Sequence, residues 1–186
     1  MGEQNIDIRK INYNKFSALP NFSYNCISYL IENEETLWKL LKYNNPECWQ
    51  AANLTKQEKG ELIYNGSPDE TKYRVFMDIG QDNSWRTEAC ILRVSPLNII
   101  PNNYIYGNIS MSFEIYSHYK INTLSNYTTR IETATQRIIE TMNGAEVEGL
   151  GRLYFDRRAS GNARSIAIGS IPYKGRATIL CNYLSG

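Results

Sequence analysis

The chain has 186 residues, 42% hydrophobic and 21% charged, with 20 Lys and Arg against 19 Asp and Glu for a formal net charge of +1. That balance excludes a disordered chain, and it supplies neither a basic field for nucleic acid nor an acidic one for a cationic partner. The length suits one domain able to bury a core without staples, and no apolar run is long enough to span a bilayer, so no membrane partner is expected.

Residues 1–20 are polar and end in "ALP", reading as an arm. From Ser23 two apolar stripes at helical spacing follow, Cys26, Ile27, Leu30 and Ile31, then Leu37, Trp38, Leu40 and Leu41. "NEET" (33–36) separates them, with Asn33 the expected cap of the second helix. "NNP" (44–46) ends it, because proline biases Asn45 away from the α region. Residues 54–70 read as a polar connection with turns at Asn65-Gly66 and Ser67-Pro68. Residues 1–70 are thus expected to form an N-terminal arm and helical extension.

After residue 70 the period changes to two. "KYRVFMDI" (72–79) sets Tyr73, Val75, Met77 and Ile79 on one side, followed by a loop "IGQDNSW". "EACILRVSPLNII" (88–100) alternates Cys90, Leu92 and Val94 until Pro96. "IPNNYIYGN" is a turn-rich crossing. "ISMSFEIYSHYKI" (109–121) places Ile109, Met111, Phe113, Ile115, Tyr119 and Ile121 on the buried parity. Its expected wet face is Ser110, Ser112, Glu114, Tyr116, His118 and Lys120.

The pattern then returns to helical spacing over 125–144, with Tyr127, Ile131, Ala134, Ile138 and Met142 inward and Thr, Glu and Arg opposite. Ser125 or Asn126 is the expected N-cap and Gly144 the C′ residue. Strands close the chain at 150–156, 164–169 and 176–183, joined by "ASGN" and a turn at "PYKG". The class this order predicts is α+β, an antiparallel β-sheet with one long helix packed across it and an N-terminal helical extension. Residues 71–186 form the α+β unit.

Catalytic signals are weak. His118 is the chain's one histidine; it lacks a nucleophile motif and a second ligand, so a surface role is expected. Asp78, Glu88 and Glu114 would make an active site only by converging at strand ends. The cysteines Cys26, Cys48, Cys90 and Cys181 are widely spaced behind an N-terminus without an apolar leader segment, which points to free thiols in a reducing cytoplasm. The sequons at Asn21, Asn53, Asn108 and Asn126 then have no use. No cofactor or metal is implied. Arg152, Arg157, Arg158 and Arg164 cluster in "GRLYFDRRASGNAR", either as a solvated hairpin or as a patch facing DNA or an acidic neighbour. The 14 tyrosines have two explanations, AT-rich codons and a surface built for protein contact.

The run "KYRVFMDI", "EACILRVSP", "NISMSFEIYSHYKI", "YTTRIETATQRIIETMNG" and "IPYKGRATILCNYL" resembles the tail-terminator and head–tail joining (neck) ring proteins of tailed bacteriophages, over about the last three-fifths of the chain. The longer N-terminal segment departs from that pattern; it suggests a docking extension, and a neck ring in a short-tailed or crAss-like phage rather than a terminator on a long tail, with the choice between those open. The resemblance implies a non-enzymatic virion protein, assembled in the host cytoplasm into a ring homo-oligomer. Its partners would be portal, collar or tail proteins, with viral DNA passing through the ring unread. Ser110, Ser112, Glu114, Tyr116, His118, Lys120, Arg152, Arg157, Arg158 and Arg164 would then line the channel or meet the next subunit. Two other classes stay open, a non-catalytic ligand-binding α+β module and an enzyme built on Asp78, Glu88 or Glu114.

Overall fold

The computed structural model describes residues 21–77, 88–101, 106–148, 150–155 and 173–184. The first twenty residues, the loop "IGQDNSW", the strand expected at 164–169 and the residues Asp78, Arg157, Arg158 and Arg164 lie outside them.

The fold is α+β. Among the described residues four helices, α1 (Phe22–Asn33), α2 (Thr36–Lys42), α3 (Lys56–Glu61) and α4 (Arg130–Met142), accompany six strands. These are β1 (Val75–Phe76), β2 (Cys90–Pro101), β3 (Tyr106–Ser117), β4 (Glu146–Val147), β5 (Gly151–Phe155) and β6 (Tyr173–Leu184), in the order β1-β2-β3-β6-β5-β4. The sheet is not wholly antiparallel: β1 runs parallel to β2, pairing Val75 with Leu92, and Ile63 bridges Val75 in parallel on its other side. β1 is only two residues long, and Met77, expected inward, is exposed.

β2 and β3 carry the alternation visible in the sequence. Cys90, Leu92 and Val94 are buried on one face, with Ile109, Met111, Phe113 and Ile115 facing the same way. Pro96 does not end β2, because a register shift between Pro96 and Asn98 carries the pairing past it to Pro101. That is how a strand accommodates a residue without an N–H. "PYKG" is no turn: Tyr173, Lys174 and Gly175 pair with Ser117, Tyr116 and Ile115 as part of β6.

The helices bury their apolar stripes against this sheet. α1 and α2 contact β2, while α4 contacts β3, β5 and β6. Leu30, Leu37, Trp38, Leu40 and Leu41 join the strand residues and Ile131, Ala134, Ile138 and Met142 in one apolar cluster. Trp38 is fully buried, and its indole Nε1 donates to Leu30 O at 3.0 Å. Asn33 does not cap α2. It ends α1, and the Glu34 carboxylate accepts from Leu37 N at 3.0 Å instead.

α4 begins later than its periodicity suggests. Thr129 is the N-cap, accepting from Glu132 N at 3.2 Å, so Ser125, Asn126 and Tyr127 precede the helix. Gly144 sits just past the other end with φ +84, the left-handed conformation expected at C′.

α3 occupies the expected polar connection. Thr55 and Glu58 form a reciprocal capping box: Glu58 N donates to Thr55 Oγ1 at 3.2 Å, and Thr55 N donates to Glu58 Oε2 at 2.8 Å. Lys42 Nζ lies 2.6 Å from Glu58 Oε1. The hydrogen bond from Lys42, with those from Thr55, lowers the Glu58 carboxyl to about 2 from its ordinary 4.5. A depressed carboxyl contributes stability that is present above its unfolded pKa and fades as pH falls toward the folded one. Urea midpoints are therefore expected to drop between about pH 4.5 and 2, with a shallower drop in Glu58→Gln. Equal slopes in the two proteins would show the box to be energetically idle.

Candidate interaction surfaces

The expected wet face of β3 is largely covered. Ser112 is 2% exposed, and its Oγ has no hydrogen-bond partner among the described residues. In the register it lies mid-strand between Ser95 of β2 and Thr178 of β6. Ser110, Glu114 and Tyr116 are half-buried. A second apolar cluster of Phe76, Ala89 and Ile91, with Tyr64, Tyr73 and Tyr116 packed on it, occupies this side of the sheet. Arg93 lies over the rings of Phe76 and Tyr116, 6.0 and 5.8 Å from their centroids. In the strand register Glu114 sits between Arg93 and Arg176, and its carboxylate accepts from the Tyr116 hydroxyl at 2.7 Å.

His118 is not a surface histidine. β3 stops at Ser117, and His118 caps a short 3₁₀ turn at Tyr119–Ile121. Its Nδ1 accepts from Lys120 N at 3.4 Å, its ring lies 4.6 Å from that of Tyr119, and it is buried. The turn reverses the expected parity: Tyr119 is exposed, whereas Ile121 stays inside. Lys120 is exposed and pairs with Glu88. That pairing holds the Glu88 carboxyl below its usual range. Glu88 precedes β2 and Glu114 lies opposite Arg93, five residues further along, so their backbones stand on the order of 15 Å apart along the strand, and Glu88 pairs with Lys120 while Glu114 accepts from Tyr116. They do not converge. Arg152 is exposed and donates through Nε to Gly144 O at 3.3 Å. Among the described residues no group of three or more His, Cys, Asp or Glu is placed to hold a metal ion, and no helix is long and apolar enough to cross a membrane. Cys26, Cys48 and Cys90 are buried free thiols, and burial pushes Cys90 up to about 12.

What the structure does build is an edge of two loops, 43–50 and 118–129. Arg130, at the start of α4, is fully buried and joins them. Its Nε donates to Ile121 O at 2.9 Å, and its Nη1 to Leu40 O at 2.6 Å and Tyr43 O at 2.8 Å. Its Nη2 reaches Asn44 O and Asn45 O at 3.3 and 3.2 Å. Ser125 N donates to Pro46 O at 3.1 Å, and the Asn44 side-chain amide donates to Glu88 O. On this braced backbone stand three exposed aromatics, Trp49 at 38%, Tyr119 at 51% and Tyr127 at 96%. Tyr127 tips a tight turn, with its N–H donating to Leu124 O at 3.1 Å and φ at +64. Segments 43–55 and 119–129 contain only two charged residues, Glu47 and Lys120. Aromatic gain with charge loss is the composition of an interface centre.

A concavity of about 460 Å³ lies between α1 and α3. Tyr24, Ile31 and Ile63 give it apolar walls, with Ser28, Gly60 and Asn65 beside them. Sequence reasoning missed both features. The groove needs α3, whose start is written in "TKQE" as a capping box; the edge needs Arg130, which no local pattern marks.

The protein-family model described as YomW matches residues 34–179, most of the chain. No curated protein and no solved structure matches it.

Proposed function

We propose a virion role for this chain, which belongs to the YomW family, a family of bacteriophage type. In this role it is a structural protein that forms a ring at the head–tail junction, joining portal or collar to tail, with DNA leaving the capsid through the ring. The observation that carries the proposal is the braced, charge-poor edge bearing Trp49, Tyr119 and Tyr127. Large aromatics held on a fixed backbone bury much area at small entropic loss, which is what a repeated subunit contact requires. The phage-type family and the order of strands and helix, resembling neck and terminator proteins, supply the setting.

In such a ring each subunit offers two different patches, and rotation closes the circle. A net charge of +1 gives DNA little to hold, so it slides rather than binds. Quantitative mass spectrometry of purified virions, combined with mass photometry of the protein alone and with its portal or tail neighbour, tests the role. The chain is expected in particles at a ring-like copy number, and in a discrete oligomer on its neighbour. Its absence from particles would remove the virion reading.

A further inference from the structure

We propose that copies of this chain join head to tail, the Tyr127 loop of one copy seating in the groove between α1 and α3 of the next. This contact presupposes the self-assembly proposed above and specifies where it occurs.

Two positions carry it, each holding a residue type that its local backbone does not favour, with no packing gain among the described residues to account for the choice. Tyr127 holds φ +64, a left-handed conformation that suits glycine or asparagine and strains a tyrosine. Its side chain is 96% exposed, so its own fold gains almost nothing from the phenol. Gly60 lies in the last turn of α3, where alanine is the better helix former. Among the described residues a Cβ at Gly60 would meet nothing within 4 Å, so none of them excludes one. Local rules broken without an internal gain concentrate where a partner makes the contact. Gly60 leaves the groove open, and Tyr127 is the projection that fills it.

The chemistry of the two patches agrees. A tyrosine entering a protein surface needs apolar walls for its ring and a polar partner for its hydroxyl. Tyr24, Ile31 and Ile63 supply the walls, Ser28 and Asn65 the partners. Residues 121–129 carry no charge. The two charges lining the groove, Glu32 and Lys56, pair with each other at 2.6 Å. No uncompensated charge is therefore trapped in the contact. Loop and groove share no residue, so each copy keeps a free loop and a free groove after one contact forms. Such a heterologous joint propagates until a ring closes.

The test is the oligomeric state of the full chain by mass photometry and light scattering. Tyr127→Asn removes the projection while keeping a residue at ease in the left-handed region, and Gly60→Arg plugs the groove. Neither touches the core, so both variants are expected to melt at or above the wild-type temperature. Each alone is expected to need at least tenfold more protein to associate. Mixed in equal amounts they are expected to give a discrete dimer, because one intact loop and one intact groove remain. Variants that assemble like the wild type, or monomeric variants that fail to pair on mixing, overturn this interface and leave ring formation standing. A wild-type chain that stays monomeric at every concentration, alone and on its phage neighbour, overturns both.

Discussion

Replacing Arg130 by methionine is expected to lower the unfolding free energy by about 3–5 kcal/mol, measured as the shift of the urea transition followed by tryptophan fluorescence. Methionine fills much of the volume but donates nothing. Five backbone carbonyls, those of Ile121, Leu40, Tyr43, Asn44 and Asn45, would each lose a donor at once, Asn45 keeping only Cys48 N. Four of these lie in the last turn of α2 or just past it, Leu40, Tyr43, Asn44 and Asn45, where helix-end carbonyls lack intrahelical partners and the dipole favours a cation. At α4 the same charge sits in the first turn, the unfavourable end for it. The tertiary contact outweighs the local penalty because the guanidinium spreads five donors in a plane. Arg130→Lys, with one ammonium for acceptors on two loops, is expected to recover less than half of the loss. A methionine variant within about 1 kcal/mol of the wild type would mean that water or relaxed backbone satisfies these carbonyls.

That residue also marks where the sequence stops being readable. The stripe Tyr127, Ile131, Ala134, Ile138, Met142 is a sound helical pattern, and four of its five members are buried. The fifth is almost wholly exposed, while Arg130, assigned to the polar side, is fully buried. Periodicity reports which face of a helix is apolar, but not where the helix starts. The start is written in "TRIE", the spacing of a capping box, of which the helix forms one half: the Thr129 hydroxyl accepts from Glu132 N and donates to the Glu132 carboxylate at 2.7 Å. The same signal in "TKQE" announces α3. No local pattern could place Arg130, because four of its five carbonyl acceptors lie 85 to 90 residues earlier in the chain.

The sheet divides similarly. The alternation in 90–94 and 109–115 correctly names the buried parity of β2 and β3. It does not say that the opposite face of β3 is also half covered, because covering comes from β1 and the aromatic cluster around Phe76. Polar residues on a strand mark the face that tolerates polarity, not the face that meets water. Hence Ser112 and His118 are poor candidates for contact with a passing ligand, whereas Tyr119 and Tyr127, read as core, are the accessible ones.

Lys59→Met is the companion change, with an expected loss of about 2–4 kcal/mol in the same urea assay. Lys59 is 2% exposed, and its Nζ donates to Ile31 O at 2.7 Å, Glu34 O at 3.1 Å and Glu35 Oε1 at 2.7 Å. It does for the end of α1 what Arg130 does for α2: a cation from a later segment closes the orphan carbonyls. Two interpretations of the residue differ in their prediction. If the ion pair with Glu35 dominated, Glu35→Gln would cost nearly as much as Lys59→Met. The Glu35 side chain is 40% exposed, so screening by water leaves that pair about 1 kcal/mol or less. The carbonyls, that of Glu34 buried and that of Ile31 partly so, hold the larger share. Glu35→Gln is therefore expected to be mild and Lys59→Met severe, with a small coupling energy in the double-mutant cycle. Because Lys59 also fastens α3 to α1, its loss should open the groove between them and weaken association of the chain more than Glu35→Gln does. Equal effects of the two substitutions on the urea midpoint would instead make the ion pair, not the helix end, the reason for burying a lysine there.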